Sequence, residues 1–213
     1  MKPRIYVLAG VNGAGKSSVV GSRIRELGMQ YFNPDEAAVE LVEEFGYSLD
    51  EANARAWTAG KEQLEEAIAG HTDFAFETTL GGNTIPLLLG KAADSGFDVR
   101  IWFVGLASVA QHLARVRARV AAGGHDIPEE KIRERWDGSR RNIILLMPHL
   151  TELRVYDNSA ERDPETGLNP SPRLILHWKR GAIVGPSPSE LQQTPDWAKP
   201  IVEAAFQLVR QQN

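Results

Sequence analysis

The chain contains no cysteine. That excludes disulfides, a thiolate nucleophile and every zinc site that needs sulfur ligands. No stretch approaches the roughly 18 consecutive apolar residues of a membrane-spanning helix. An excess of positive charge is also missing, since the formal net charge is −4. This disfavours general nucleic-acid binding, without excluding a local basic groove. Lys2 and Arg4 precede a short apolar run, but the run breaks at Gly10, so it does not read as a signal peptide. The expectation is a cytoplasmic protein with no membrane partner. With 213 residues and 42% hydrophobic content the chain can bury a sizeable core, and one domain spanning 1–213 is expected.

What is present is concentrated near the start. Gly10-Val11-Asn12-Gly13-Ala14-Gly15-Lys16-Ser17 fits G-x-x-x-x-G-K-[ST], the phosphate-binding loop of nucleoside triphosphate enzymes. Backbone N–H groups in such a loop curl around phosphate oxygens, which requires glycines where a side chain would obstruct. Lys16 offers a point charge to the phosphates, and the Ser17 hydroxyl is a ligand for Mg²⁺. Asn12, Gly13, Ala14, Gly15 and Ser18 complete the candidate ATP contacts. The context fits on both sides. Ile5 to Ala9 suits a buried strand, and Val20, Ile24 and Leu27 recur at helical spacing before Gly28. The alternative is a glycine-rich strand-to-helix turn that binds nothing.

Further along, strand and helix signals alternate up to residue 157. Gln30-Tyr31-Phe32-Asn33 reads as a short second strand. Asn33-Pro34 starts a helix, and Ser48-x-x-Glu51 opens a longer one with a capping box, ending at Gly70. Strands are expected at Asp73–Thr79, Val99–Val104 and Leu153–Asp157, with helices at Thr84–Ser95, from Ser108 to about Ala122, and from Pro128 towards Pro148. Alternation of this kind favours a parallel sheet covered on both faces, with ligands beyond the carboxyl ends of the strands. The fold class is therefore α/β: a kinase-like P-loop NTPase sandwich of three layers. An arginine-rich mobile lid is expected over about 112–140, and a small hairpin plus helix over 172–213.

Residues just past strand ends are the chemical candidates. Asp35 follows the second strand. It could accept a proton from an attacking hydroxyl, or merely oppose the dipole of its own helix. Glu77, with Thr78, ends the third strand and could hold a substrate hydroxyl or orient Mg²⁺ through water. Arginines at 115, 117, 119, 133, 135, 140 and 141 form the densest cationic region. Guanidinium groups suit a transferring phosphoryl, although pairing with Glu129, Glu130 and Glu134 on solvated helices accounts for most of them. Gly123-Gly124 between the two helices suits a hinge. His125, in the same loop, lacks the companions of a metal site and reads as a loop-orienting or substrate-contacting residue.

These stretches together resemble the zeta toxin family of P-loop kinases. The carriers are Gly10 to Ser17, Phe32 to Glu36, Glu77-Thr78-Thr79-Leu80, Arg119 through Gly123-Gly124-His125-Asp126-Ile127-Pro128 to Trp136, and Tyr156-Asp157-Asn158-Ser159. The resemblance is to the chromosomal, AAA-type ATPase branch. It implies ATP and Mg²⁺ as cofactors, with Lys16 and Ser17 on phosphate and metal and Asn158 at the nucleotide. Asp35 is implied as the base, Glu77 as the substrate-site glutamate, and Arg119 with Arg133 or Arg135 as lid arginines. The implied reaction is phosphorylation of a small hydroxylated acceptor, best known for the 3′-hydroxyl of UDP-N-acetylglucosamine, and the implied partner is an antitoxin protein.

Overall fold

The computed structural model describes residues 2–16, 31–161, 165 and 170–211. The expected helix from Ser17 to Gly28, and with it Ser17 and Ser18, lies outside the described residues. A seven-stranded sheet runs through the molecule in the order β2-β3-β1-β4-β5-β6-β7. Its strands are β1 (Arg4–Ala9), β2 (Tyr31–Phe32), β3 (Phe74–Thr78), β4 (Asp98–Gly105), β5 (Glu152–Asp157), β6 (Arg173–Lys179) and β7 (Ala182–Gly185). The first five are parallel to one another. The last two return antiparallel. This is the α/β P-loop NTPase fold. The hairpin expected over 172–213 is present as β6 and β7, and it extends the central sheet past β5.

Crossover helices follow from the parallel order, because a parallel neighbour cannot be reached by a tight turn. Helix α1 (Pro34–Phe45) starts where Asn33 Oδ1 accepts the Asp35 N–H at 3.0 Å, with Pro34 filling the first helical position. Helix α2 (Leu49–Gly70) starts on Ser48, whose Oγ accepts the Glu51 N–H at 3.3 Å. The Glu51 carboxylate turns to Arg55, 3.1 Å away, so only half of the expected capping box is made here. Gly70 stays helical, and His71 takes the left-handed cap at φ 51°. Its ring stacks on Phe97, which holds an unfavourable backbone conformation in place.

Helix α3 (Thr84–Asp94), α4 (Val109–Ala121) and α5 (Glu129–Leu146) follow, and α6 (Pro188–Leu191) and α7 (Lys199–Gln211) close the chain. Alternate residues of the strands feed one main core: Ile5 and Val7, Phe74 and Phe76, Val99 and Ile101, Leu153 and Val155. Leu89 of α3, Ile143 and Leu146 of α5 and Ile201 of α7 pack into it. Trp178 and Trp197 are buried in the same core, as packing rather than stacking platforms.

Helix α5 carries the candidate arginines, and its second half is anchored. The Asn142 side chain donates to the carbonyls of Leu80 and Gly82, both at 2.8 Å. One turn earlier the helix backbone lies against the loop after β3, so a Cβ added at Gly138 would stand 2.2 Å from the Gly81 carbonyl oxygen. The lid expected over 112–140 is thus tied to the sheet edge at its far end. Its glycine hinge sits between the helices, where Gly123 has φ 92°.

Gly138→Ala should therefore lower stability by about 1–3 kcal/mol through overpacking against rigid backbone. Gly90→Ala is the control, since nothing stands within 4 Å of a Cβ there, and it should gain about 0.5–1 kcal/mol from helix propensity. Urea unfolding of the two variants reads both signs. Equal stability for the two would show that α5 yields at Gly138.

Candidate functional site

The carboxyl ends of β1, β2 and β3 open into one cleft of about 420 Å³. The loop after β1 forms one wall. Gly10 has φ 148°, and any Cβ there would lie 2.3 Å from the Val104 carbonyl oxygen, so only glycine lets the chain leave the strand this close to β4. The loop then tightens with Ala14 N–H on the Val11 carbonyl at 3.0 Å. Asn12 and Lys16 face the cleft, while Ala14 is fully buried behind it. Gly13 and Gly15 make the turn at φ 82° and 81°. Asn158 grips the loop from outside the cleft, donating from Nδ2 to the Ala14 carbonyl at 2.8 Å. Arg115 in turn donates to the Asn158 carbonyl at 2.7 Å. Asn158 therefore shapes the loop from behind rather than lining the cavity.

Asp35 enters from the first turn of α1 with its side chain half exposed, 3.8 Å from Arg119 Nη1. The other guanidinium nitrogen of Arg119 donates to the His125 carbonyl at 3.1 Å, which ties the end of α4 to the loop that follows it. His125 itself lies on the wall. Glu77 is buried at the end of β3 and accepts the Tyr31 hydroxyl at 2.5 Å. The register explains the contact: Tyr31 pairs with Ala75 and lies diagonal to Glu77 across the β2–β3 pair. Thr78 Oγ1 accepts the Leu80 N–H at 3.0 Å, shaping the turn beside the cleft.

The two candidate arginines of α5 separate. Arg135 points inward and donates from Nη1 to Asn12 Oδ1 at 2.7 Å. Burial lowers its pKa, opposed by Asp35 and Glu134, yet a guanidinium remains charged throughout the accessible pH range. Arg133 points out to solvent, where its guanidinium holds Glu129 at 2.5 Å, and it does not reach the cleft wall. The structure thus brings Lys16, Asp35, Glu77, Thr78, His125 and Arg135 to one cavity, and leaves Arg133 outside it.

Two features escaped the sequence reading. Helix α2 contributes Asn53, Trp57 and Lys61 to the wall opposite the loop. Their spacing of four puts them on one face, but such a pattern also fits an ordinary solvated helix. The second is His112 on α4, fully buried, with Nδ1 2.8 Å from the Asn12 carbonyl. A lone histidine between Leu113 and Val109 reads from sequence as core. Its pKa is lowered to about 4, mainly by burial and further by Lys16 and Arg115, against the Asn12 carbonyl, which favours the proton.

A magnesium ion bound with a nucleotide takes most of its ligands from phosphates and water. Among the described residues no group of three or more His, Cys, Asp or Glu is placed to hold a metal by itself. Glu77, a buried oxygen donor at the strand end, fits a supporting role through water.

The depressed His112 value has a consequence for stability. The unfolded chain takes up a proton near the ordinary 6.5 that the folded chain refuses until about 4. This contribution is complete above about pH 6.5 and is lost as pH falls towards 4. His112→Asn should therefore show a smaller drop in unfolding free energy between pH 7.5 and pH 5 than the parent chain, measured by urea denaturation. Equal drops would show that His112 titrates normally.

Comparisons with known proteins agree with this architecture. An uncharacterized protein of Haemophilus influenzae is 31% identical over 144 residues, covering 64% of this chain and 94% of that protein. The AvrRxo1-ORF1:AvrRxo1-ORF2 complex solved with ATP superposes with a TM-score of 0.65 at 15% identity, over 91% of this chain and 63% of that one. The chain thus spans less than two thirds of that neighbour's length. The structure of the PezAT chromosomal toxin–antitoxin system of Streptococcus pneumoniae gives a TM-score of 0.55 at 12% identity, over 99% and 87% of the two chains. At such identities the likeness is one of fold. The AAA domain family model matches residues 5–143, which include the phosphate loop, Asp35, Glu77 and Arg135. The chain belongs to the AAA domain family.

Proposed function

We propose that the chain is an ATP- and Mg²⁺-dependent phosphotransferase that passes the γ-phosphoryl group to a hydroxyl of a small molecule. One observation carries this reading. A single cleft presents a phosphate-loop lysine, a half-exposed aspartate, a buried glutamate and a half-buried arginine. Phosphoryl transfer asks the protein for little covalent chemistry. It asks for positioning, for cations around the transferring group, and for one acceptor of a proton.

The roles follow from placement. Lys16 and the loop amides would hold the triphosphate, with Ser17 and Ser18, which lie beyond the described residues, continuing the contact. Mg²⁺ bound there would neutralise charge on the β- and γ-phosphates, with Ser17 and a water-linked Glu77 as its protein side. The acceptor hydroxyl would lie between Asp35 and Glu77. Asp35 takes its proton as the new O–P bond forms and the bond to the ADP oxygen breaks. Arg135, and Arg119 once released from Asp35, face the charge that spreads over the equatorial oxygens. Thr78 and His125 would border the acceptor, with Trp57 and Lys61 on the far wall.

For the acceptor, the resemblance of the sequence to zeta toxins favours a sugar nucleotide such as UDP-N-acetylglucosamine. Another hydroxyl, on an antibiotic or a nucleic-acid end, is the alternative within the same chemistry. The toxin–antitoxin context named for PezAT also motivates a second reading, a nucleotide-binding protein held by an antitoxin partner.

ADP release against sugar nucleotides, antibiotics and oligonucleotides separates these readings. Lys16→Ala should abolish turnover. Asp35→Ala should slow transfer by about 10²–10⁴-fold while calorimetry still detects Mg-ATP binding. Wild-type rates in Asp35→Ala would remove the base assignment. A folded wild-type protein that binds no Mg-ATP would remove the whole reading.

A further inference from the structure

We propose that His112 is a positioning residue of the phosphate loop: as the neutral Nδ1–H donor it fixes the Asn12 carbonyl, and through Asn12 it aims Arg135 into the cleft. A carbonyl oxygen can only accept, so at 2.8 Å the proton of this contact belongs to Nδ1. The other ring nitrogen, Nε2, is buried and has no hydrogen-bond partner among the described residues. A second proton there would be unpaired and would stand near Lys16 and Arg115, the charged groups that bear on this ring. The imidazole is therefore neutral, and its tautomer is set by the loop.

The ring is also held in orientation. Trp136 of α5 meets it at 69° with centroids 5.3 Å apart. A ring flip would set a carbon against the Asn12 carbonyl and strand the Nδ1–H donor inside the protein. Asn12, itself 5% exposed, then works at both ends. Its backbone oxygen is fixed by α4, and its side-chain oxygen receives Arg135 from α5 at 2.7 Å. Helices α4 and α5 pack on each other directly, and each also holds one end of the same loop residue. Any rotation of the Asn12 peptide swings the acceptor that holds Arg135, so losing the His112 hydrogen bond frees the arginine from its aim.

The binding arm of the test rests on the nucleotide reading of the cleft, and the tautomer arm does not. In the first arm, two-bond ¹H–¹⁵N correlation spectra of wild-type protein at pH 7 should show His112 as the Nδ1–H tautomer. An Nε2–H tautomer or an imidazolium overturns the proposal. In the second, the Kd for Mg-ATP is measured by calorimetry on folded His112→Leu and His112→Asn. His112→Leu should bind about tenfold more weakly, the scale of one lost buried hydrogen bond. His112→Asn, whose side-chain N–H can reach the same carbonyl, should stay within about threefold of wild type. In an Arg135→Ala background the His112→Leu penalty should shrink to less than about threefold, because the residue it acts through is gone. An equal penalty in both backgrounds would make His112 a packing residue only and overturn the proposal. Wild-type protein giving no Mg-ATP heat sinks the nucleotide reading instead, and the tautomer then decides the inference alone.

Discussion

The site depends on how closely one turn of backbone can approach its neighbours. At Gly10 the chain leaves β1 so near to β4 that a single methyl group would overlap the Val104 carbonyl. That approach faces Lys16 and Asn12 into the cleft and puts Ala14 behind it. A loop with this curvature exposes amide donors that would otherwise need water, and it is stable only if its own carbonyls are satisfied elsewhere. Three of them are: Asn12 by His112, Ala14 by Asn158, Val11 by the Ala14 N–H. The anion-binding face is preorganised by contacts made on its opposite side. This spares a bound ligand the entropy of ordering the loop.

How legible this was depends on the range of each interaction. The phosphate loop, the Asn33-Pro34 helix start and the Ser108 cap are local devices, readable because the partners lie within a few residues. The pairing of β5 with β6 is not local. The hairpin could be read from its turn, but its membership of the central sheet follows only from the β5 edge available to it. His112 was invisible for the same reason, since its partner is 100 residues away. The arginines of α5 lie between these cases. Positions 133 and 135 are about 200° apart around a helix, so both could not face one cleft. Periodicity demands a choice, and only packing makes it: Asn142 and Gly138 fix the rotation of α5 so that Arg135 points in and Arg133 points out.

The same anchoring distinguishes the two arginines that border the cleft. Arg135 sits less than one turn from the Gly138 contact, on a helix held to the loop after β3, and its side chain is half-buried. Arg119 sits at the last turn of α4, next to the glycine hinge, holding Asp35 across 3.8 Å and the loop carbonyl of His125. An exposed pair at that distance contributes little to stability, so exchanging Asp35 for a phosphoryl oxygen would be inexpensive. One arginine is thus built to be already in place, the other to change partner.

This asymmetry bears on how such a cleft would avoid losing phosphate to water. A fixed cation beside the loop favours nucleotide binding whether or not an acceptor is present. Asp35, if it is to serve as the proposed base, must first give up Arg119, and does so only when something else attracts that arginine. The anionic γ-phosphoryl group is the natural competitor, and closing the hinge loop through His125 would move with the exchange. Acceptor choice then falls to the opposite wall, where Asn53, Trp57 and Lys61 of α2 face the loop across the cavity. Those residues make none of the contacts that hold the phosphate loop in shape. The loop side of the cleft is set by backbone geometry and the α2 side by side chains, so a substitution on α2 can reshape the cavity without disturbing the loop.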